Sequence, residues 1–124
     1  MAKTVLVADD NPGVRKALCR LFQVEKDYEI CAEASNGEEV IALAKKHKPD
    51  LIILDLSMPG MHGLDAAAEL KKIMPEIPII LFTVHAETFR NKIGKLPIDV
   101  VASKSDFDLM SHVRRLVPVH KTSL

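Results

Sequence analysis

Six polar residues stand where an apolar run hands over to a loop. Asp9 and Asp10 follow TVLVA, Asp55 follows LIIL with Ser57 two residues on, Thr83 follows IILF, and Lys104 comes just after VVA. Three carboxylates gathered in one pocket cannot all stay ionised unaided. At ~4 Å and an effective dielectric near 20, each like-charged pair costs on the order of 4 kcal/mol, so the cluster takes up a proton or a cation. An all-oxygen, carboxylate-rich set suits a hard cation, Mg²⁺ above all, which keeps several of its waters. In this reading Asp10 and Asp55 ligate directly, Asp9 acts through a bound water, and the backbone carbonyl of Ser57 adds a further ligand. Asp55, at a strand end, is then placed to attack phosphorus. The equatorial oxygens of the incoming group need neutralising, one by the cation, one by the Lys104 ammonium and one by the Thr83 hydroxyl. The product of such a step is an aspartyl phosphate, an anhydride that water can cleave.

The elements that must position these residues alternate along the chain. Thr4 to Ala8 reads as a strand, and Pro12 opens a helix whose Val14, Ala17, Leu18, Leu21 and Phe22 share a face. Glu29 to Ala34 is a second strand. Asn36 caps the next helix, with Glu39 in capping-box position and Val40, Ile41, Leu43 and Ala44 on its apolar side. After Pro49, Leu51 to Leu54 is apolar without interruption, as in a strand covered on both faces. Leu64 to Met74 is a helix ended by Pro75 and Pro78, Ile79 to Phe82 another two-sided strand, Ala86 to Ile93 a helix, and Val100 to Ala102 a weaker strand. Ser105, with Asp108 three residues on, caps a last helix whose core face is Phe107, Met110 and Val113, and Pro118 stops it. This alternation predicts an α/β fold, a doubly wound five-stranded parallel sheet in the order 2-1-3-4-5 with helices on both faces. In that class ligands bind beyond the carboxyl ends of the strands, where the strand order reverses, and that edge collects Asp9, Asp10, Asp55, Thr83 and Lys104.

Composition bounds the alternatives. The 124 residues suit one domain, read as 1–118 with 119–124 as a loose tail, and 48% hydrophobic content supplies a core. Lys plus Arg balances Asp plus Glu at 17 each, which argues against a dedicated nucleic-acid surface. No stretch reaches the length of a membrane span, and the first apolar run meets two carboxylates too early for a secretory leader. Cys19 and Cys31 lie in apolar patterns and form no C-x-x-C pair, as expected of small buried thiols in a reducing cytoplasm.

Taken together, Asp9-Asp10, Asp55 with Met58-Pro59 and Gly63, Thr83 and Lys104 resemble the receiver domains of two-component response regulators, over roughly Thr4 to Val117. The resemblance implies a flavodoxin-like fold and a signalling module phosphorylated on Asp55 by a histidine kinase or a phosphotransfer protein. It implies a Thr83 that reorients toward the phosphate to change a distant surface. Output would pass through an unknown partner, self-association or a further segment, since no effector region follows Pro118. Such a domain is not an enzyme in the ordinary sense, promoting only its own phosphorylation and dephosphorylation. The fourth helix, fifth strand and fifth helix are the expected meeting face, with Val101 and Ala102 on it.

Four positions depart from the family pattern. Val101 replaces an aromatic switch residue, Val84 a small residue beside Thr83, Ser105 a proline, and IGKLPID an Ala-Gly-rich turn. Val84 and Val101 support a rival reading, an interaction module on the same fold that works without phosphorylation. His85 and Ser57 occupy positions that tune phosphate lifetime in relatives, although a loop histidine is equally well explained by solvation. Singly, each site residue has a plain explanation: a helix-start charge pair for Asp9-Asp10, a turn residue for Asp55, a β-branched strand residue for Thr83, a surface cation for Lys104. Their joint placement at one edge is what sets these aside. The run Lys45-Lys46-His47-Lys48 is a solvated helix end, where cations suit the dipole.

Overall fold

The computed structural model describes residues 2–105 and 109–119. Its sheet is formed by β1 (Lys3–Ala8), β2 (Tyr28–Ala34), β3 (Leu51–Asp55), β4 (Ile79–Thr83) and β5 (Val100–Ser103), all parallel, in the order β2-β1-β3-β4-β5. Between and after them run α1 (Pro12–Gln23), α2 (Gly37–His47), α3 (Gly63–Ile73), the short α4 (Ala86–Arg90) and α5 (Leu109–Leu116). Order and parallel sense agree with the sequence reading.

The uninterrupted apolar runs have the expected cause, because alternate residues of each central strand feed opposite faces. Val5, Val7, Leu51, Ile53, Ile80, Phe82, Val100 and Ala102 pack with Leu18 and Phe22 of α1 and Met110 and Val113 of α5. Leu6, Ala8, Ile52, Leu54, Ile79, Leu81 and Val101 pack with Val40 and Ala44 of α2, Ala66, Ala67 and Leu70 of α3, and Ala86 of α4. β2 joins β1 through a slip in register between Val5 and Leu6, which leaves Cys31 as the extra residue.

Helix starts follow local chemistry. Asn11 caps α1 by accepting from the Gly13 and Val14 amides, ahead of Pro12 at the first helical position. Asn36 accepts from Glu39 N–H at 2.8 Å, while the Glu39 carboxylate accepts from Ser35 N–H, which lowers its pKa. At α3 the cap is His62, whose Nδ1 accepts from the Leu64 amide.

Several expectations are corrected. The helix expected over Ala86 to Ile93 stops at Arg90, and Ile93–Lys95 is a separate 3₁₀ turn. The apolar spacing of Ala86, Phe89 and Ile93 suggested continuity, but Asn91 and Gly94 form helix poorly. Leu21, expected on the core face of α1, is 37% exposed, and Ala17 is exposed. Cys19 and Cys31 are half-buried rather than buried. Val101 and Ala102 are buried at 3% and 0% exposure and present nothing to a partner directly. The expected Ser105 cap depends on Asp108, which with Phe107 and the end of the tail lies outside the described residues.

Candidate functional site

β1 and β3 are neighbours although β2 and α2 separate them in sequence, and this reversal of strand order puts their carboxyl ends side by side. Asp9 is the first residue past β1. Its N–H continues the ladder by donating to the Ala34 carbonyl at 3.0 Å. One carboxylate oxygen, Oδ1, accepts from the Asn11 amide at 2.9 Å, which ties the side chain to the start of α1. The next residue, Asp10, is exposed. Asp55 ends β3 and is buried. A carboxylate oxygen from each of Asp9, Asp10 and Asp55 lies within 4.8 Å of the others.

The loop after Asp55 is shaped by Gly63. A Cβ there would stand 2.1 Å from the Asp55 carbonyl oxygen and 2.9 Å from the Leu56 Cα, so only glycine lets α3 begin against the backbone of Asp55. The Gly63 N–H closes the loop onto the Leu56 carbonyl at 2.8 Å. Ser57 sits exposed within it.

Lys104 follows β5, and its N–H is held by the Thr83 carbonyl at 3.1 Å. The side chain reaches back across the sheet edge. Its Nζ lies 3.0 Å from Asp55 Oδ1, to which it donates a hydrogen bond, and 2.7 Å from Asp9 Oδ2. The second contact is a close ion pair with a buried carboxylate oxygen. Burial raises the pKa of Asp55; the Lys104 hydrogen bond and charge oppose that rise, and the charges of Asp9 and Asp10 add to it. Burial alone would lower the pKa of Lys104, but its contacts with Asp9 and Asp55 outweigh this and raise it.

Thr83 ends β4 and is buried, opposite Ser103 of β5. Its hydroxyl accepts from the His85 amide at 3.0 Å and so faces the loop into α4. Val84 is 67% exposed, and His85 is exposed and makes no side-chain cap to α4. Sequence reasoning therefore named the residues that converge: Asp9, Asp10, Asp55 and Lys104 share one cleft, with Thr83 on the adjoining strand end. It missed Arg15, whose Nη1 donates to the Asp9 carbonyl at 2.7 Å. Its spacing from Asp9, a short loop followed by the first turn of α1, gave no signal before the start of that helix was known.

The residues fit a hard divalent cation. All the donors are oxygen, three carboxylates are within reach of one ion, and the Lys104 ammonium balances only part of their combined charge.

The chain is 41% identical over 83 residues to the transcriptional regulatory protein PdtaR of Mycobacterium tuberculosis, matching 65% of this chain and 40% of that protein. It is 42% identical over 81 residues to the nitrate/nitrite response regulator NarL of Escherichia coli, matching 65% and 38%. The alignment thus spans about two fifths of the length of these curated relatives. Among solved structures it resembles the response regulator TrrA of Thermotoga maritima in complex with Mg²⁺-BeF, at 36% identity and a TM-score of 0.83, over 93% of this chain and 99% of that one. TrrA has also been solved in complex with the histidine kinase ThkA, with a TM-score of 0.78 to this chain. The model of the response regulator receiver domain matches residues 5–108, and the chain belongs to that family.

Proposed function

We propose that this chain accepts a phosphoryl group on Asp55 in a Mg²⁺-dependent reaction and signals through altered protein contacts. The observation that carries the reading is the meeting of the Asp9, Asp10 and Asp55 carboxylates with the Lys104 ammonium at the strand-order reversal. Asp9, Asp10, Asp55 and the Ser57 carbonyl would hold Mg²⁺, which would supply positive charge to the acids and to the transferring group. Likeness to TrrA, solved both with Mg²⁺-BeF and with a histidine kinase, supports the cation and a phosphohistidine donor.

An Asp55 oxygen forms a bond to phosphorus as the donor's P–N bond breaks, and the electron pair leaves with the imidazole. Asp55 must be ionised to attack; burial works against that state, and the Lys104 ammonium favours it. Lys104, already at Asp55, takes one equatorial oxygen. Thr83 takes another by turning its hydroxyl inward. That turn releases the His85 amide and frees the loop bearing the exposed Val84. Val101, buried beside Ala86 on the α4 side, has no ring to move, so the signal runs through Thr83 and α4.

The test is incubation with Mg²⁺ and acetyl phosphate, read by intact mass, with fluoroberyllate binding alongside to capture a short-lived adduct. A phosphate-sized mass gain that disappears in Asp55→Asn is expected. No adduct and no fluoroberyllate binding in the wild type, or an adduct that survives Asp55→Asn, would overturn the reading.

A further inference from the structure

The Asp9 side of the cleft is held by a residue that the phosphoryl chemistry does not use. The Asp9 N–H is bound to β2, but its carbonyl lies past the end of β1 and has left the ladder. Arg15, on the first turns of α1, meets that carbonyl with Nη1 at 2.7 Å, a short charge-assisted bond in partly buried surroundings. The same guanidinium is anchored to β2, its Nε 3.3 Å from Glu33 Oε1. Both peptide groups flanking the Asp9 Cα are thus fixed, while Oδ1 is tied to Asn11, and only Oδ2 is left facing the cleft.

We propose that Arg15, tethered by Glu33, is a positioning residue for the cation site: it holds the Asp9 backbone so that the Asp9 and Asp10 carboxylates are presented to the ion. The inference rests on the Mg²⁺ reading above. It can be separated from a mere charge effect by sign. A guanidinium near a divalent cation repels it, so if Arg15 acted only through charge, removing it would tighten Mg²⁺ binding. If Arg15 positions, removing it loosens binding, as groups behind metal ligands do, by a factor of about ten.

The experiment is Mg²⁺ titration of the full chain by calorimetry at fixed ionic strength, with thermal melts as a check on folding. Arg15→Met, which keeps the apolar stem, should weaken Mg²⁺ binding about tenfold, and Arg15→Lys should recover most of it. Glu33→Gln should weaken binding by a smaller factor, and that loss should vanish in the Arg15→Met background, because the tether then has nothing to hold. Unchanged or tighter binding in Arg15→Met, or a Glu33→Gln effect that persists in that background, would overturn the proposal. If Arg15→Met melts too low to titrate, Glu33→Gln decides: wild-type affinity there overturns it. A wild type that binds no Mg²⁺ at millimolar concentration, or whose binding survives Asp10→Asn and Asp55→Asn, defeats the underlying reading as well, a pattern distinct from failure of Arg15 alone.

Discussion

Replacing Asp55 by Asn should stabilise the protein in the absence of divalent cations and largely cancel the stabilisation that Mg²⁺ confers. At the 4.8 Å limit of separation and an effective dielectric near 20, repulsion between Asp9 and Asp55 is ~3.5 kcal/mol. Asp10 is exposed, so its repulsion is screened to at most ~1 kcal/mol. Lys104, at 3.0 Å, returns ~5.5 kcal/mol on the same basis. The Coulomb terms thus nearly cancel, and the desolvation of a carboxylate that is only 6% exposed decides the sign. That term is several kcal/mol per buried ion, which leaves a net cost on the order of 1–3 kcal/mol, in the same direction as the raised pKa of Asp55. Asparagine keeps an acceptor for Lys104 and removes the charge. In EDTA, Asp55→Asn should therefore melt higher than wild type by about 3–15 °C, at roughly 3–5 °C per kcal/mol for a chain of this length. Mg²⁺ at 100 times Kd should stabilise the wild type by about 2.7 kcal/mol and the variant far less. Calorimetric melts with and without Mg²⁺ measure both quantities. A variant that melts lower than wild type in EDTA would mean that Lys104 more than compensates for burial, and the account of the cleft as a strained acidic cluster would be wrong.

Three further outcomes are expected. Because the folded-state pKa of Asp55 is raised, the folded chain holds this proton more tightly than the unfolded one, so in EDTA stability should fall as pH rises through the Asp55 pKa. The difference in unfolding free energy between wild type and Asp55→Asn, measured by urea titration across pH, should show that fall, and Mg²⁺ affinity should rise over the same window. Gly63→Ala should cost at least ~2 kcal/mol and weaken fluoroberyllate binding, because its Cβ would strike the Asp55 carbonyl at 2.1 Å; an alanine variant with wild-type melt and binding would refute the close approach. Tyr28→Phe should destabilise by about 1–2 kcal/mol in urea titration without altering Mg²⁺ affinity, since the Tyr28 hydroxyl donates at 2.6 Å to the buried Val117 carbonyl at the far end of the sheet from the cleft.

The sequence by itself determined the elements and their polar ends. Two-sided burial writes itself as uninterrupted runs such as LIIL and IILF, and helix starts carry local signals such as Asn36 with Glu39. Chain order then forced a parallel sheet, and its reversal point selected Asp9, Asp10, Asp55 and Lys104 as neighbours. Tertiary structure alone decided which atoms meet. The Lys104 ammonium bridges Asp9 and Asp55, the Thr83 hydroxyl turns to the His85 amide, and Arg15 seeks a backbone carbonyl that no side-chain pattern encodes. Val101 and Ala102 illustrate the same limit: strand register against α4 and α5 buries both, whereas sequence placed them on a meeting face. Periodicity reports which faces are apolar, because that is a property of local spacing. Contacts across the sheet edge depend on which strands lie side by side, and on directions of approach that exist only once the chain has folded.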